Sequence, residues 1–239
     1  MDKVVRPTRT AARCLTFVLA DMGSVAVPDV DKAVCPRRPT RTAFVLADAD
    51  GVVLADVDGI LHPVDDITTE RLRLRGFQPG DAETFAAYRS DPAVARFQSW
   101  EAPFSIDDAE RMVREMAAGD PEQPGWFQYA IEVDGRHIGD VGVNLWDNRM
   151  QADIGFTVDP RYQGKGLGSE AVLGVLRRLF EEQRLERVSA ECDARNTASA
   201  GLLRRVGFAQ EGLRPRYTWI KGEWTDDLLF GLLARDWRA

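Results

Sequence analysis

The chain has 239 residues, 44% of them hydrophobic and 29% charged, and carries a formal net charge of −7. That balance is ordinary for a globular domain. It excludes a membrane-spanning helix, because no apolar run is long enough, and it disfavours nucleic acid, whose phosphates require a basic face. The cysteines are Cys14, Cys35 and Cys192. An odd count without repeated spacing argues against a disulfide framework and against a metal site.

Residues 1–66 read differently from the rest. "RPTRTA" occurs at 6–11 and again at 38–43, and "FVLAD" follows each copy, at 17–21 and 44–48. "LADADGVV" (46–53) runs straight into "LADVDGIL" (54–61). Asp48, Asp50, Asp56 and Asp58 raise a calcium-binding repeat, but their spacing fits neither an EF-hand loop nor the nonapeptide repeat. A hairpin or a loosely ordered extension with Asp-Gly turns is the simpler expectation. Lys3, Arg6, Arg9 and Arg13 precede "CLTFVLA" in the manner of a signal peptide. Asp21 ends that apolar run, however, and no small-residue cleavage site follows. A cytoplasmic location is therefore expected. Residues 1–66 are expected to form an extension that the following domain, 67–239, can do without.

From Ile67 the pattern is clean. "ITTERLRLRGF" alternates Leu72, Leu74 and Phe77 with charges and predicts a strand. "PGDAETFAAYRS" predicts a short helix, and "SIDDAERMVREMAA" a second one capped by Ser105. "FQYAIEV" and "RHIGDVGVNLW" flank Asp134-Gly135, a strong hairpin signal. "ADIGFTV" (152–158) is another strand. It enters a glycine loop and then a helix over about 166–183, whose apolar face is Val172, Leu173, Leu176, Leu179 and Phe180. "RVSAECD" (187–193) is a strand, and "NTASAGLLRRV" (196–206) a helix capped by Asn196 and stopped by Gly207. Two closing strands surround Lys221-Gly222. The strand–helix–strand piece at 152–193 must be a right-handed crossover between parallel strands. The rest can pair antiparallel, which gives an α/β (α+β) domain with a mixed, mostly antiparallel sheet and flanking helices.

The loop "DPRYQGKGLGSEA" (159–171) places glycines at a helix start, where unpaired N–H groups and the helix dipole favour phosphate. A Walker A loop needs Gly-Lys-Ser/Thr, but Lys165 is followed by Gly166. A dinucleotide loop needs G-x-G-x-x-G early in the chain, and Gly164, Gly166 and Gly168 have the wrong last spacing.

A third reading fits residue by residue. Gln163-Gly164-Lys165-Gly166-Leu167-Gly168 is similar to the Q/R-x-x-G-x-G/A loop of the GCN5-related N-acetyltransferases (GNAT family). "TERLRLRGFQPGDAETFAAYRSDPAVARF" resembles the opening of the RimJ/RimL branch, and "DIGFTVDPRYQGKGLGSEA" its central strand and loop. "NTASAGLLRRVGF" and "TWIKGEWTDDLLFGLLARDW" resemble its later helix and closing hairpin. The resemblance covers residues 67–238.

The resemblance implies the GNAT fold, with a central splayed parallel strand pair, and acetyl-CoA as co-substrate. It places the pyrophosphate on the backbone of Gln163, Gly164, Lys165, Gly166, Leu167 and Gly168, with Ser169 as a hydroxyl donor. The pantetheine arm would pair with the strand Asp153–Val158 through Phe156 and Val158. Asn196 would either bond that arm or only cap its helix. The implied reaction is direct attack of a primary amine on the acetyl thioester, which requires a base because amines arrive largely as ammonium. Asp153 and Glu191 are the candidate bases, and each has an ordinary solvated reading. Asp193 shares a strand face with Glu191. Where many relatives carry an acidic Tyr, this chain has Leu203, which leaves Ser199 and Tyr217 as weak substitutes. Cys192 reads as a small buried apolar residue, since neither His62 nor His137 is near it in sequence. His137 reads as a surface strand residue.

Trp100, Glu101 and Tyr217, with Asp147 and Asp226, fall in the segments expected to build the acceptor pocket. Acids and aromatics together suit a cationic amine. Trp100 and Trp146 have an equal reading as core anchors. The acceptor is a protein N-terminus on the branch resemblance. A small amine such as a polyamine, amino acid or aminoglycoside stands as the alternative, as does a CoA-binding module without turnover. No nucleic acid or membrane partner is expected, and a homodimer is left open.

Overall fold

The computed structural model describes residues 66–238. The expectations for residues 1–65 lie outside the described residues. The first strand of the sequence reading divides in two, β1 (Ile67–Thr68) and β2 (Arg73–Gly76). The turn between them is held by a carboxylate from far along the chain. Glu170 accepts hydrogen bonds from the Thr69 hydroxyl at 2.6 Å and from the Arg71 N–H at 2.8 Å.

Helix α1 (Ala82–Arg89) follows, then a single-turn α2 (Pro92–Ala95) that the periodicity does not reveal. Helix α3 (Ile106–Ala117) starts where expected, with the Ser105 hydroxyl accepting from the Asp108 N–H. Strands β3 (Gly125–Val133) and β4 (Arg136–Leu145) form the Asp134-Gly135 hairpin. Strand β5 (Gln151–Val158) leads through the glycine loop into α4 (Leu167–Arg177), which closes with a π-helical turn at Arg178–Glu182. Then come β6 (Arg187–Asp193), α5 (Thr197–Arg205), β7 (Ala209–Ile220) and β8 (Glu223–Leu233).

The strands form one sheet in the order β1-β2-β3-β4-β5-β6-β8-β7. Every neighbouring pair is antiparallel except β5–β6, which is parallel, as the crossover argument requires. That parallel ladder is short: Gln151 pairs with Arg187, Ala152 with Val188 and Asp153 with Ser189. Past Asp153 the two strands separate. β5 stays paired to β4 as far as Val158, and β6 stays paired to β8 as far as Asp193. The gap therefore opens in the middle of an otherwise continuous sheet.

Two cores flank the sheet. The larger packs Leu167, Ala171, Val175, Leu203 and Phe208 against Ile138, Val141, Ile154, Val188 and Phe230. The smaller packs Phe85, Ala109, Met112 and Val113 from α1 and α3 over Ala130 of β3. His137 belongs beside this smaller core, which corrects its reading as a surface residue. Its ring stacks edge-on against Phe77 and Tyr88, and its side chain is 4% exposed. Strand alternation alone gave no sign that α1 would close over it.

Candidate active site

A depression lies at the divergence of β5 and β6 and is lined from both faces of the sheet. Alternation along β5 sends Gly155 and Thr157 to the α1–α3 face and Ile154 and Phe156 to the α4–α5 face. On the α4–α5 side the lining continues with Ala190, Cys192, Asn196, Ser199 and Leu203. On the other side it continues with Gln128, Asp140, Glu191, Asp193, Thr225 and Asp227. A passage through the sheet thus joins an apolar chamber to a carboxylate-rich one.

The glycine loop stands at the α4 end. Gly164 and Gly166 hold φ angles of 72° and 80°, which glycine adopts without Cβ strain. Gly166 is the α4 N-cap and supplies no side-chain cap. The first helical hydrogen bond runs from the Glu170 N–H to the Gly166 carbonyl at 3.0 Å, so the preceding turn of N–H groups stands ahead of the helical ladder. Cations surround this turn. Arg71 donates to the Lys165 carbonyl and pairs with Glu170, and Arg205 donates to the Ser169 hydroxyl at 3.3 Å. The Gln163 amide donates to the Val158 carbonyl at 2.8 Å, which ties the loop to the end of β5. These residues fit a pyrophosphate: backbone donors, a dipole end and flanking positive charge.

The carboxylates of the other chamber differ in their partners. Asp193 is bound by Arg195 at 2.6 Å, and Glu191 by Arg214 at 2.6 Å. Burial works against the charged form of Asp193, but the Arg195 side chain and N–H outweigh it and hold the carboxyl below its usual range. Asp227, 3% exposed, accepts from the hydroxyls of Thr218 and Thr225. Asp140, 1% exposed, accepts from the Tyr88 hydroxyl and the Gln128 amide. Burial drives the Tyr88 hydroxyl well above its usual range, and the charge of Asp140 pushes the same way, so Tyr88 serves as a neutral donor.

The rim is built by residues 97–100 and Arg89. The buried Arg89 guanidinium lies 4.1 Å from the Phe85 ring centre and 4.0 Å from that of Trp100, whose indole N–H donates to the Arg89 carbonyl.

Of the residues expected from the sequence, Phe156, Glu191, Asn196 and Trp100 meet in this lining, and Gln163–Ser169 gather at the α4 N-terminus. The Asn196 side chain caps α5 through the Ser199 N–H at 3.1 Å. Asp153 lies beyond the lining, at the end of the parallel ladder. Its Oδ2 accepts from the Trp146 indole at 2.9 Å and from the Asn144 amide at 3.3 Å. Glu101, Tyr217, Asp147 and Asp226 also lie outside it; beside Tyr217 and Asp226 in the β7–β8 hairpin, Thr218, Thr225 and Asp227 line the chamber instead. Burial, with the nearby charge of Asp193, pushes the Cys192 thiol up to about 11, which keeps it protonated at neutral pH. Asp140, Tyr88, Gln128 and Asp227 were not foreseen. The available signal was Asp140 itself, a carboxylate inside the apolar run "HIGDVGV". Among the described residues no cluster of His, Cys, Asp and Glu is arranged to hold a metal, and no helix is long and apolar enough to cross a membrane.

The sequence matches the family model of the acetyltransferase (GNAT) domain over residues 71–209. It is 31% identical to the uncharacterized N-acetyltransferase p20 of Bacillus licheniformis over 176 residues, 73% of this chain and 99% of that protein. It is 36% identical to the [ribosomal protein uS5]-alanine N-acetyltransferase of Escherichia coli over 84 residues, 35% of this chain and 43% of that protein. The crystal structure of a GNAT-family acetyltransferase from Bacillus anthracis superposes with a TM-score of 0.65 at 26% identity, covering 71% of this chain and 99% of that one.

Proposed function

Because the chain belongs to the GNAT family of acetyl-CoA-dependent N-acetyltransferases, we propose that its acceptor is the N-terminal amine of a protein. One observation carries this choice of acceptor. On the α1–α3 face, register aligns Trp126, Asn144, Asp153 and Ser189 across β3, β4, β5 and β6. This polar row adjoins the chamber and offers a floor for the chain that follows an acetylated amine. The partial match to an enzyme acting on the alanine N-terminus of uS5 supports the same choice.

Acetyl-CoA, when bound, supplies an acetyl group already activated as a thioester. The glycine loop and the α4 N-terminus hold its phosphates, and the β5 edge released from β6 offers backbone groups to its arm. In the facing chamber Asp140 takes a proton from the incoming ammonium, so that the neutral amine can attack. Tyr88 and Gln128 fix the orientation of Asp140 by donating to both of its oxygens. Glu191 is the second carboxylate at the gap, and Arg214 pairs with it.

A small cationic amine is the second reading, favoured by the gathering of Asp140, Glu191, Asp193 and Asp227 in one chamber. The test is acetyl transfer measured by CoA thiol release, with peptides bearing free Ala, Ser or Met N-termini set against spermidine, free amino acids and an aminoglycoside. Peptides are expected to have the higher kcat/KM by about 100-fold. Preferential turnover of a small amine would sink the protein-acceptor reading.

A further inference from the structure

We infer that Asp153 selects the substrate sequence: its carboxylate receives a Lys or Arg side chain at the second or third residue of the acceptor peptide. The inference rests on the protein N-terminus being the acceptor.

Asp153 is half-buried and lies just outside the reaction chamber. It is two residues along β5 from Gly155, which lines the chamber, and both side-chain positions are on the same face. Two residues of strand span about 7 Å. A peptide lying extended on this face advances about 3.4 Å per residue. Its second or third residue therefore passes over Asp153 when its amine is at the β5–β6 gap.

The chemistry at that point is specific. The hydrogen-bonding partners of Asp153 are two neutral donors, the Trp146 indole and the Asn144 amide, and both act on Oδ2. These orient the carboxylate without neutralising it. Arg187, on the neighbouring strand, forms a two-pronged pair with Glu211 and donates to the Ser189 hydroxyl, and the charge of Asp153 acts on it without a hydrogen bond between the two. Both hydrogen bonds fall on Oδ2, which leaves Oδ1 to receive a substrate cation. The Trp126 ring, 43% exposed, ends the same cross-strand row and adds an aromatic surface suited to an alkyl-ammonium or guanidinium group.

The test uses the full chain, acetyl-CoA and peptides that share one N-terminal residue and carry Lys, Ala or Glu at position two or three. The wild type is expected to favour Lys over Glu by about tenfold in kcat/KM, chiefly through KM. Asp153→Asn keeps an acceptor for Trp146 and removes the charge. It is expected to bring the Lys to Glu ratio in kcat/KM near one. Asp153→Glu is expected to restore the preference in part. A wild type indifferent to charge, or a preference that survives Asp153→Asn, overturns the inference. A large loss of kcat on every peptide in Asp153→Asn also overturns it, since that result would place Asp153 in the proton chemistry. If no peptide is acetylated while small amines are, the protein-acceptor reading fails and this inference falls with it.

Discussion

The Tyr88 hydroxyl, at the end of α1, donates to Oδ2 of Asp140, a strand residue 52 positions later in the chain. This bond carries a helix of the smaller core to the wall of the chamber and fixes the carboxylate that faces the gap. Asp140→Asn retains the shape and removes the base. We expect kcat to fall about 10²- to 10⁴-fold, with acetyl-CoA affinity within twofold by calorimetry. Tyr88→Phe removes one of the two donors and should cost kcat about three- to tenfold. An Asp140→Asn enzyme with near wild-type turnover would move the base elsewhere, with Glu191 next in line.

The loop and its helix were legible because their signals are local: glycines, a helix start and an apolar helical face lie within one stretch of chain. The gap was legible only through family resemblance, since nothing in β5 or β6 marks where a parallel ladder ends. Asp140 was hidden by a bulge. In the β3–β4 ladder Ile131 pairs with Gly139 and Glu132 with His137, so β4 carries one extra residue at this point. Simple alternation would put His137 and Asp140 on opposite faces, whereas the bulge returns both to the α1 side. Gly139 permits it, with a φ of 155° and the Thr157 carbonyl 2.2 Å from where a Cβ would sit. The sequence singles out Asp153 as a candidate base, but its place beyond the chamber lining depends on cross-strand register, which the sequence does not encode locally.

Gly166 adopts a φ of 80° as the α4 N-cap. Gly166→Ala forces an L side chain into that conformation, at a cost of about 1 kcal/mol. The new Cβ would sit 3.4 Å from the Arg71 guanidinium, an ordinary contact, so the backbone carries the strain. Acetyl-CoA affinity should fall about five- to tenfold, with the acceptor KM unchanged. An equal loss on both substrates would mean that the loop supports the whole site rather than the phosphates.

Cys192 lines the apolar chamber, and its thiol is pushed up to about 11, chiefly by burial. A protonated thiol is a poor nucleophile. Cys192→Ala should therefore keep kcat within about threefold. Intact mass after incubation with acetyl-CoA alone should show no added acetyl group, and initial-rate patterns should be sequential. An acetylated enzyme that passes its acetyl group to amine would require a two-step route through this cysteine.

His137 links acid sensitivity to the fold. Burial holds its imidazole below the usual 6.5, although Asp81, at 3.6 Å, and Asp140 pull the other way; its ring Nε2 faces the Gly139 carbonyl, and Arg75 opposes a positive charge. The unfolded chain takes up a proton near pH 6.5, where the native imidazole stays neutral. Stability from this group is thus complete above that pH and is lost as pH falls from 6.5 through the lower folded value. Asp81 acts later in the same direction. Burial alone would raise its carboxyl, but Arg75 and the Gln78 N–H hold it below 3.8, so its contribution disappears only in stronger acid. The urea midpoint of the wild type should be level from pH 8 to 7 and decline from 6.5 to 5. In His137→Gln, which can still donate to the Gly139 carbonyl, the decline over that interval should flatten. Parallel declines in the two proteins would assign the acid sensitivity to other groups.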